Sequence, residues 1–163
     1  PFLNVGEFVM MQENWIGKGG RSILKGEFGK IININDQIQE YAGLHFVDVE
    51  IEFLSCSGAK KITSKILLEA INTRYGKLTS DKEKTFYAHV MKNNNTFRRT
   101  LKRSDDKYFG AMRLKHAYAI TCHKAQGGEW DNVFIHPWKL GIDLSWTYTA
   151  LTRARKNVFS YAA

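Results

Sequence analysis

From Phe46 to Phe53 the side chains alternate: Val47, Val49, Ile51 and Phe53 are apolar, with Asp48, Glu50 and Glu52 between them. A period of two sends alternate side chains to opposite faces of an extended strand, and a face this apolar has to be covered. The chain is therefore committed to a sheet with one buried side. Residues 5–11 and 26–34 are further candidate strands, punctuated by Gly17, Gly19, Gly20, Gly26 and Gly29. Short strands with glycine-rich turns predict a small β-barrel over residues 1–66. The segment Gly17-Lys18-Gly19-Gly20-Arg21-Ser22 invites comparison with a phosphate-binding loop. It lacks the two glycines at fixed spacing and the Lys-Ser/Thr pair that opens a helix, so it reads as a hairpin turn.

Residues 67–113 change to a helical, basic character. Leu67, Leu68 and Ile71 suit one apolar face. Ser80-Asp81-Lys82-Glu83 fits a capping box ahead of Phe86, Tyr87, Val90 and Met91, whose spacing is helical. After Asn93-Asn94-Asn95, the run from Phe97 to Arg103 interleaves aromatic and basic side chains. Two readings stand side by side: contacts to phosphates and bases, or a solvated helix with Phe97 and Leu101 turned inward.

The formal charge of +8 is unevenly spread. Residues 60–115 hold 15 Lys+Arg against 5 Asp+Glu, a net of +10, whereas the remainder nets −2. Such an excess favours a polyanion through counterion release, although a solvated surface without a partner has the same composition. The hydrophobic share of 44% suits a globular core. No apolar run reaches bilayer length and no signal segment opens the chain, so no membrane association is expected. Cys56 and Cys122 have no metal-type spacing and read as reduced thiols of a cytoplasmic protein, with no metal site. Pro1 in place of methionine suggests a processed or excised chain.

From Leu114 the rhythm becomes strand, loop, strand, helix, strand: residues 117–121, 133–135 and 158–161 as strands, and 146–155 as helix. This is the order of an α/β sheet with ligand loops at its strand ends. Residues 121–129 pack Thr121, His123, Lys124, Gln126, Gly127, Gly128 and Glu129 directly behind a strand. A plain connection has no need of so many donors and acceptors, and the glycines let backbone approach a ligand. Residues 147–156 then place Arg153 among small and apolar neighbours, an arrangement suited to aiming a guanidinium at a phosphate.

These two segments resemble motifs V and VI of superfamily-1 helicases of the RecD/Dda type, in order and in spacing. The strand-rich N-terminal part is similar to the SH3-like accessory barrel inserted in the second motor domain, and the layout resembles RecD-like helicases of Bacteroides-type bacteria. The resemblance implies an α/β fold: a partial RecA-like parallel-sheet domain over residues 114–163, an SH3-like β-barrel over 1–66 and a basic connecting region over 67–113. Arg153 then matches the arginine finger that reaches the γ-phosphate of ATP across the cleft between two motor domains. Gly128 and Glu129 match positions near the nucleotide, Glu129 accepting from the ribose or ordering its loop. Thr121 and His123 match contacts to single-stranded DNA, and Lys124 and Gln126 lie between the two sites. Ala125 departs from the serine many relatives carry. Arg155, Lys156 and Trp130 read as structural, the first two as solvated charges near a helix C-terminus, where cations are favoured.

No Gly-Lys-Thr loop and no acidic pair for Mg²⁺ is present. By the resemblance, ATP and Mg²⁺ are bound mainly by a separate N-terminal P-loop domain of the same protein. The expectation is the C-terminal motor part of an ATP-dependent DNA helicase, related to exodeoxyribonuclease-associated repair and recombination enzymes and inactive by itself. The competing reading is a basic nucleic-acid-binding module without motor activity. A phosphotransfer enzyme is disfavoured because no carboxylate cluster suited to two metals is visible.

Overall fold

The computed structural model describes residues 3–35, 37–55, 58–73, 76–137 and 140–160. The chain divides into two compact units, residues 1–118 and 119–163.

The first unit is a curled antiparallel sheet covered on part of its outer side by helices. Its strands are β1 (Phe8–Met11), β4 (Phe28–Ile34), β5 (Gln39–Tyr41), β6 (Leu44–Ser55), β7 (Gly58–Leu67) and β8 (Leu114–His116). A short hairpin, β2 (Trp15–Ile16) and β3 (Ser22–Ile23), stands apart. The long β6 organises the sheet. One edge carries β7 from Phe46–Leu67 to Ser55–Gly58, and the other is shared by β5 and β4. Beyond β4 come β1 and β8, all antiparallel. Met112 then joins the two ends, its N–H donating to Lys65 O at 2.7 Å and its carbonyl accepting from Leu67 N at 3.1 Å. The sheet therefore draws on residues well beyond 66 to curl upon itself.

The predicted alternation of β6 is present: Val47, Val49, Ile51 and Phe53 are all buried, with Val9, Met11, Ile31, Ile62 and Ile66, inside the curl. Gly29 lies directly across from this row. A Cβ there would sit 2.5 Å from Ile51 Cγ2 and 3.0 Å from the Phe53 ring. Replacing Gly29 with alanine should thus destabilise by about 1–3 kcal/mol, the usual cost of forcing extra atoms into a packed core. A urea midpoint unchanged from wild type would show that the two strands separate at no cost.

Phe46 points the other way. With Leu44 and Leu67 it forms a second core under α1 (Leu68–Asn72), α2 (Ser80–Asn93) and α3 (Asn95–Thr100), against Ala70, Phe86, Val90, Phe97 and Phe109. Ring contacts knit this layer together: Phe46–Phe86 at 5.9 Å, Phe86–Phe109 at 5.3 Å and Phe97–Phe109 at 5.1 Å. Thus residues 67–113, expected as a connecting region, carry the lid of a core.

Local expectations fare unevenly here. The turn over residues 17–22 does join a hairpin, with Trp15 opposite Ile23. The capping box does not form: Thr79 holds the cap position without a side-chain bond, and the Glu83 carboxylate is engaged by Arg113. Of the pair expected to face inward, Phe97 is buried, which removes it from base stacking, but Leu101 is exposed. Leu101 takes a left-handed conformation at φ 55° as it ends α3, and this swings it off the helix's inner face. The expected strand over residues 117–121 is absent. Ala117 N donates to Phe8 O as the last rung, and β1 offers no residue before Phe8 for the chain to pair with further.

The second unit comprises β9 (Trp130–Ile135), α4 (Leu144–Leu151) and β10 (Ala154–Ser160). The two strands pair in parallel, Asn157 opposite Asn132 through Ser160 opposite Ile135. Among its described residues the sheet amounts to this parallel pair rather than a full RecA-like sheet. No helix of the described residues is long and apolar enough to cross a membrane.

Candidate functional site

The residues singled out between 121 and 153 lie in the second unit. The chain enters through a short 3₁₀ turn, Cys122–Ala125. Thr121 O accepts from Lys124 N at 2.9 Å and from Ala125 N at 3.1 Å, which tightens the turn. Ala125 is buried inside it. A serine hydroxyl here would have to find a partner within the turn, so the departure from the motif suits this packing. The Cys122 thiol lies 3.6 Å from Trp146 O, the first turn of α4; Cys56 lies outside the described residues.

The turn continues through Gly127, at φ +81°, a left-handed backbone that favours glycine. Gly128 has a different constraint. A Cβ there would meet the Trp130 ring at 2.5 Å, so the indole occupies the space that any side chain at 128 would need. The tight turn leaves Gly128 O available, and it accepts from Arg153 Nη1 at 3.1 Å.

Arg153 stands just beyond α4 rather than on it. Asp143 caps the helix start through Trp146 N at 2.9 Å, and Thr152 forms its C-terminal boundary. The guanidinium folds back over the last turn: Nε donates to Thr149 O at 3.0 Å and Nη2 to Thr152 Oγ1 at 3.1 Å. Its backbone carbonyl accepts from Trp130 N at 2.9 Å, which fastens β10 to β9. Three of its N–H groups are used, leaving two of the guanidinium's five. The structure thus brings Arg153 and Gly128, 25 residues apart, into direct contact.

Thr121, His123, Lys124, Gln126 and Glu129 are all exposed, and their side chains form no hydrogen bond or ion pair with another described residue. They surround the turn as available donors and acceptors. Arg155 and Lys156, expected near a helix C-terminus, lie instead on β10. Both reach across to Asp131 on β9, at 2.8 Å and 2.7 Å. The Lys156 hydrogen bond, aided by Arg155, holds the Asp131 carboxyl below its ordinary range. Both remain exposed, but they are paired with Asp131 rather than simply solvated, a partner not visible in the sequence. No grouping of three or more metal-ligating side chains occurs among the described residues.

Residues 116–160 match the UvrD-like helicase C-terminal domain. The match contains the whole turn, Gly128, Glu129 and Arg153. It supports a superfamily-1 helicase C-terminal region and a helicase-related function. A stretch of 57 residues is also 40% identical to an uncharacterized protein of Methanocaldococcus jannaschii. That alignment covers 33% of this chain and 5% of that protein.

Proposed function

We propose that the chain is the C-terminal motor region of an ATP-dependent DNA helicase of the RecD/Dda type. The observation carrying this reading is the Arg153–Gly128 contact, which lies inside the segment matched to the helicase domain and links the two motif-like segments. A planar cation with unused donors beside a turn that lacks a Cβ suits a nucleotide phosphate on both charge and access. ATP supplies a phosphoanhydride whose cleavage drives the motor, and Mg²⁺ accompanies it on the P-loop domain. In this reading Arg153 reaches across to that domain and stabilises charge on the transferred phosphoryl group. Glu129 accepts from the ribose or orders the turn. Thr121 and His123 hold the single-strand backbone. Lys124 and Gln126, on the same turn, transmit the state of one site to the other. β9 and β10 belong to a wider RecA-like sheet, and the curled sheet of the first unit is an SH3-like accessory element that guides the strand. The partners are single-stranded DNA and the P-loop domain, in the cytoplasm.

The test is DNA-stimulated ATP hydrolysis by the protein that carries both motor regions. Changing Thr121 and His123 together to alanine should raise the oligothymidine concentration for half-maximal stimulation about tenfold, equivalent to roughly 1.4 kcal/mol of lost contact. An unchanged concentration dependence would remove the turn from the strand path.

A further inference from the structure

Away from the motif-like turn, the first unit has two clefts flanking the tip of the β2–β3 hairpin, and Gly20 lines both. The larger, about 710 Å³, runs past Trp15 to Lys102 and Arg103. Its charges are compensated: Glu13 and Asp105 line it too, and Arg103 donates to Glu13 at 2.6 Å. The smaller, about 440 Å³, is different. It is walled by Gly20, Arg21, Ser22, Lys60, Lys61 and Ile62. Among the described residues, three cations line it and no acid does. Arg21, Lys60 and Lys61 are exposed and form no ion pair with a described residue. Lys61 stands opposite Glu52 in register without pairing to it, and Lys30 lies on the other side of that same Glu52. Their backbone positions are set by structure: Lys60 and Lys61 lie on β7 beside the core-anchored Ile62, and the hairpin brings Arg21 to the same cleft.

We infer that this cleft binds the phosphodiester backbone of single-stranded nucleic acid, independently of the turn at residues 121–129. The inference deepens the helicase reading and rests on it for the choice of a nucleic-acid ligand. Three cations along an open groove, none ion-paired to a described residue, attract consecutive phosphates and release their counterions. The Ser22 hydroxyl adds a donor at the same wall. No aromatic ring of the described residues lines the cleft, so none of them offers a surface for a base to stack on. Recognition is then by backbone and indifferent to sequence, and a mononucleotide, held by one phosphate alone, is retained poorly.

The experiment uses the full chain and fluorescein-labelled oligothymidine, titrated across a salt series. The Arg21→Ala/Lys60→Ala/Lys61→Ala variant is compared with Lys82→Ala/Lys84→Ala/Lys92→Ala, which removes the same charge from exposed positions of α2. Circular dichroism melting of each variant establishes that it is folded. The cleft variant should flatten the slope of log K against log salt by about 2, since three single-strand phosphates contribute roughly 0.7 each. The α2 variant should leave most of that slope. Equal losses for the two variants would overturn the site, because binding would then follow net charge alone, as would no loss for the cleft variant. Thr121→Ala/His123→Ala separates the readings: if it is silent while the cleft variant weakens binding, the turn assignment fails and the cleft stands.

Discussion

Replacing Arg153 by alanine, in the protein that carries both motor regions, should lower DNA-stimulated kcat for ATP hydrolysis by about 10³-fold, the lower end for loss of an arginine finger. A finger acts on charge that develops only in the transition state, so kcat and kcat/KM should fall together while the KM for ATP moves little. The geometry bears on which substitutions discriminate. The guanidinium is held by Thr149 O, Gly128 O and Thr152 Oγ1, three acceptors matched to a planar fork. A lysine keeps the charge but places one point donor where three are needed. Arg153→Lys should therefore stay far below wild type. Because Arg153 also ties the turn to the end of α4, its loss could act by loosening the second unit. Thermal melting of the variant resolves this, since a finger defect leaves the melting curve near that of wild type. A kcat within a few fold of wild type for Arg153→Ala would sink the assignment.

How much of this was legible depended on whether the signal was periodic, local or long-range. The alternation Val47, Val49, Ile51, Phe53 sits in one strand, and its buried face followed directly. Phe46 belongs to the same apolar run, yet its role in a second core could not be read, because the helices that cover it lie tens of residues downstream. Glu83 looked like a capping residue from its local spacing, whereas Arg113, 30 positions away, claims its carboxylate. Arg103 looked like a phosphate contact within a basic run and is instead paired with Glu13, 90 positions away. Ala117–Thr121 had strand-like composition, but β1, the strand that pairs with β8, begins at Phe8, and composition does not report where a partner strand ends. The turn around Gly128 and Arg153 was readable as a pair only through likeness to known motifs; their spacing alone does not bring them together. The cleft of Arg21, Lys60 and Lys61 was not visible at all as a unit, since the glycine-rich tip reads as a turn and the lysines as part of a diffuse positive stretch.

The ion network that local reading missed carries the second large effect. Arg113 is 5% exposed at its side chain, and it sends Nη1 and Nη2 to the two oxygens of Glu83 at 2.8 and 2.6 Å. Its Nε lies 3.3 Å from Glu13 Oε1. Arg103 approaches the same two carboxylates, at 2.6 Å from Glu13 and 3.6 Å from Glu83. Four charges thus join the turn after β1, the start of α2, the chain beyond α3 and the segment entering β8. Removing Arg113 leaves two carboxylates beside a single arginine, in a site closed to water on the Arg113 side. Losing one partner of a buried pair costs roughly 3–5 kcal/mol, and the partial exposure of both carboxylates places Arg113→Ala at the low end, about 3 kcal/mol. For a domain stabilised by roughly 5–15 kcal/mol, that is a sizeable fraction. The measurement is urea unfolding of Arg113→Ala, Glu83→Ala and the double variant. The singles should each destabilise, and the double should destabilise by clearly less than their sum, with a coupling of about 1–3 kcal/mol. A loss below about 1 kcal/mol for Arg113→Ala would place the network with ordinary surface pairs. Arg113→Met with Glu83→Leu should recover much of the loss, because apolar side chains of similar volume need no desolvated partner. Such a recovery would mean that the network fixes which segments meet more than it stabilises their meeting.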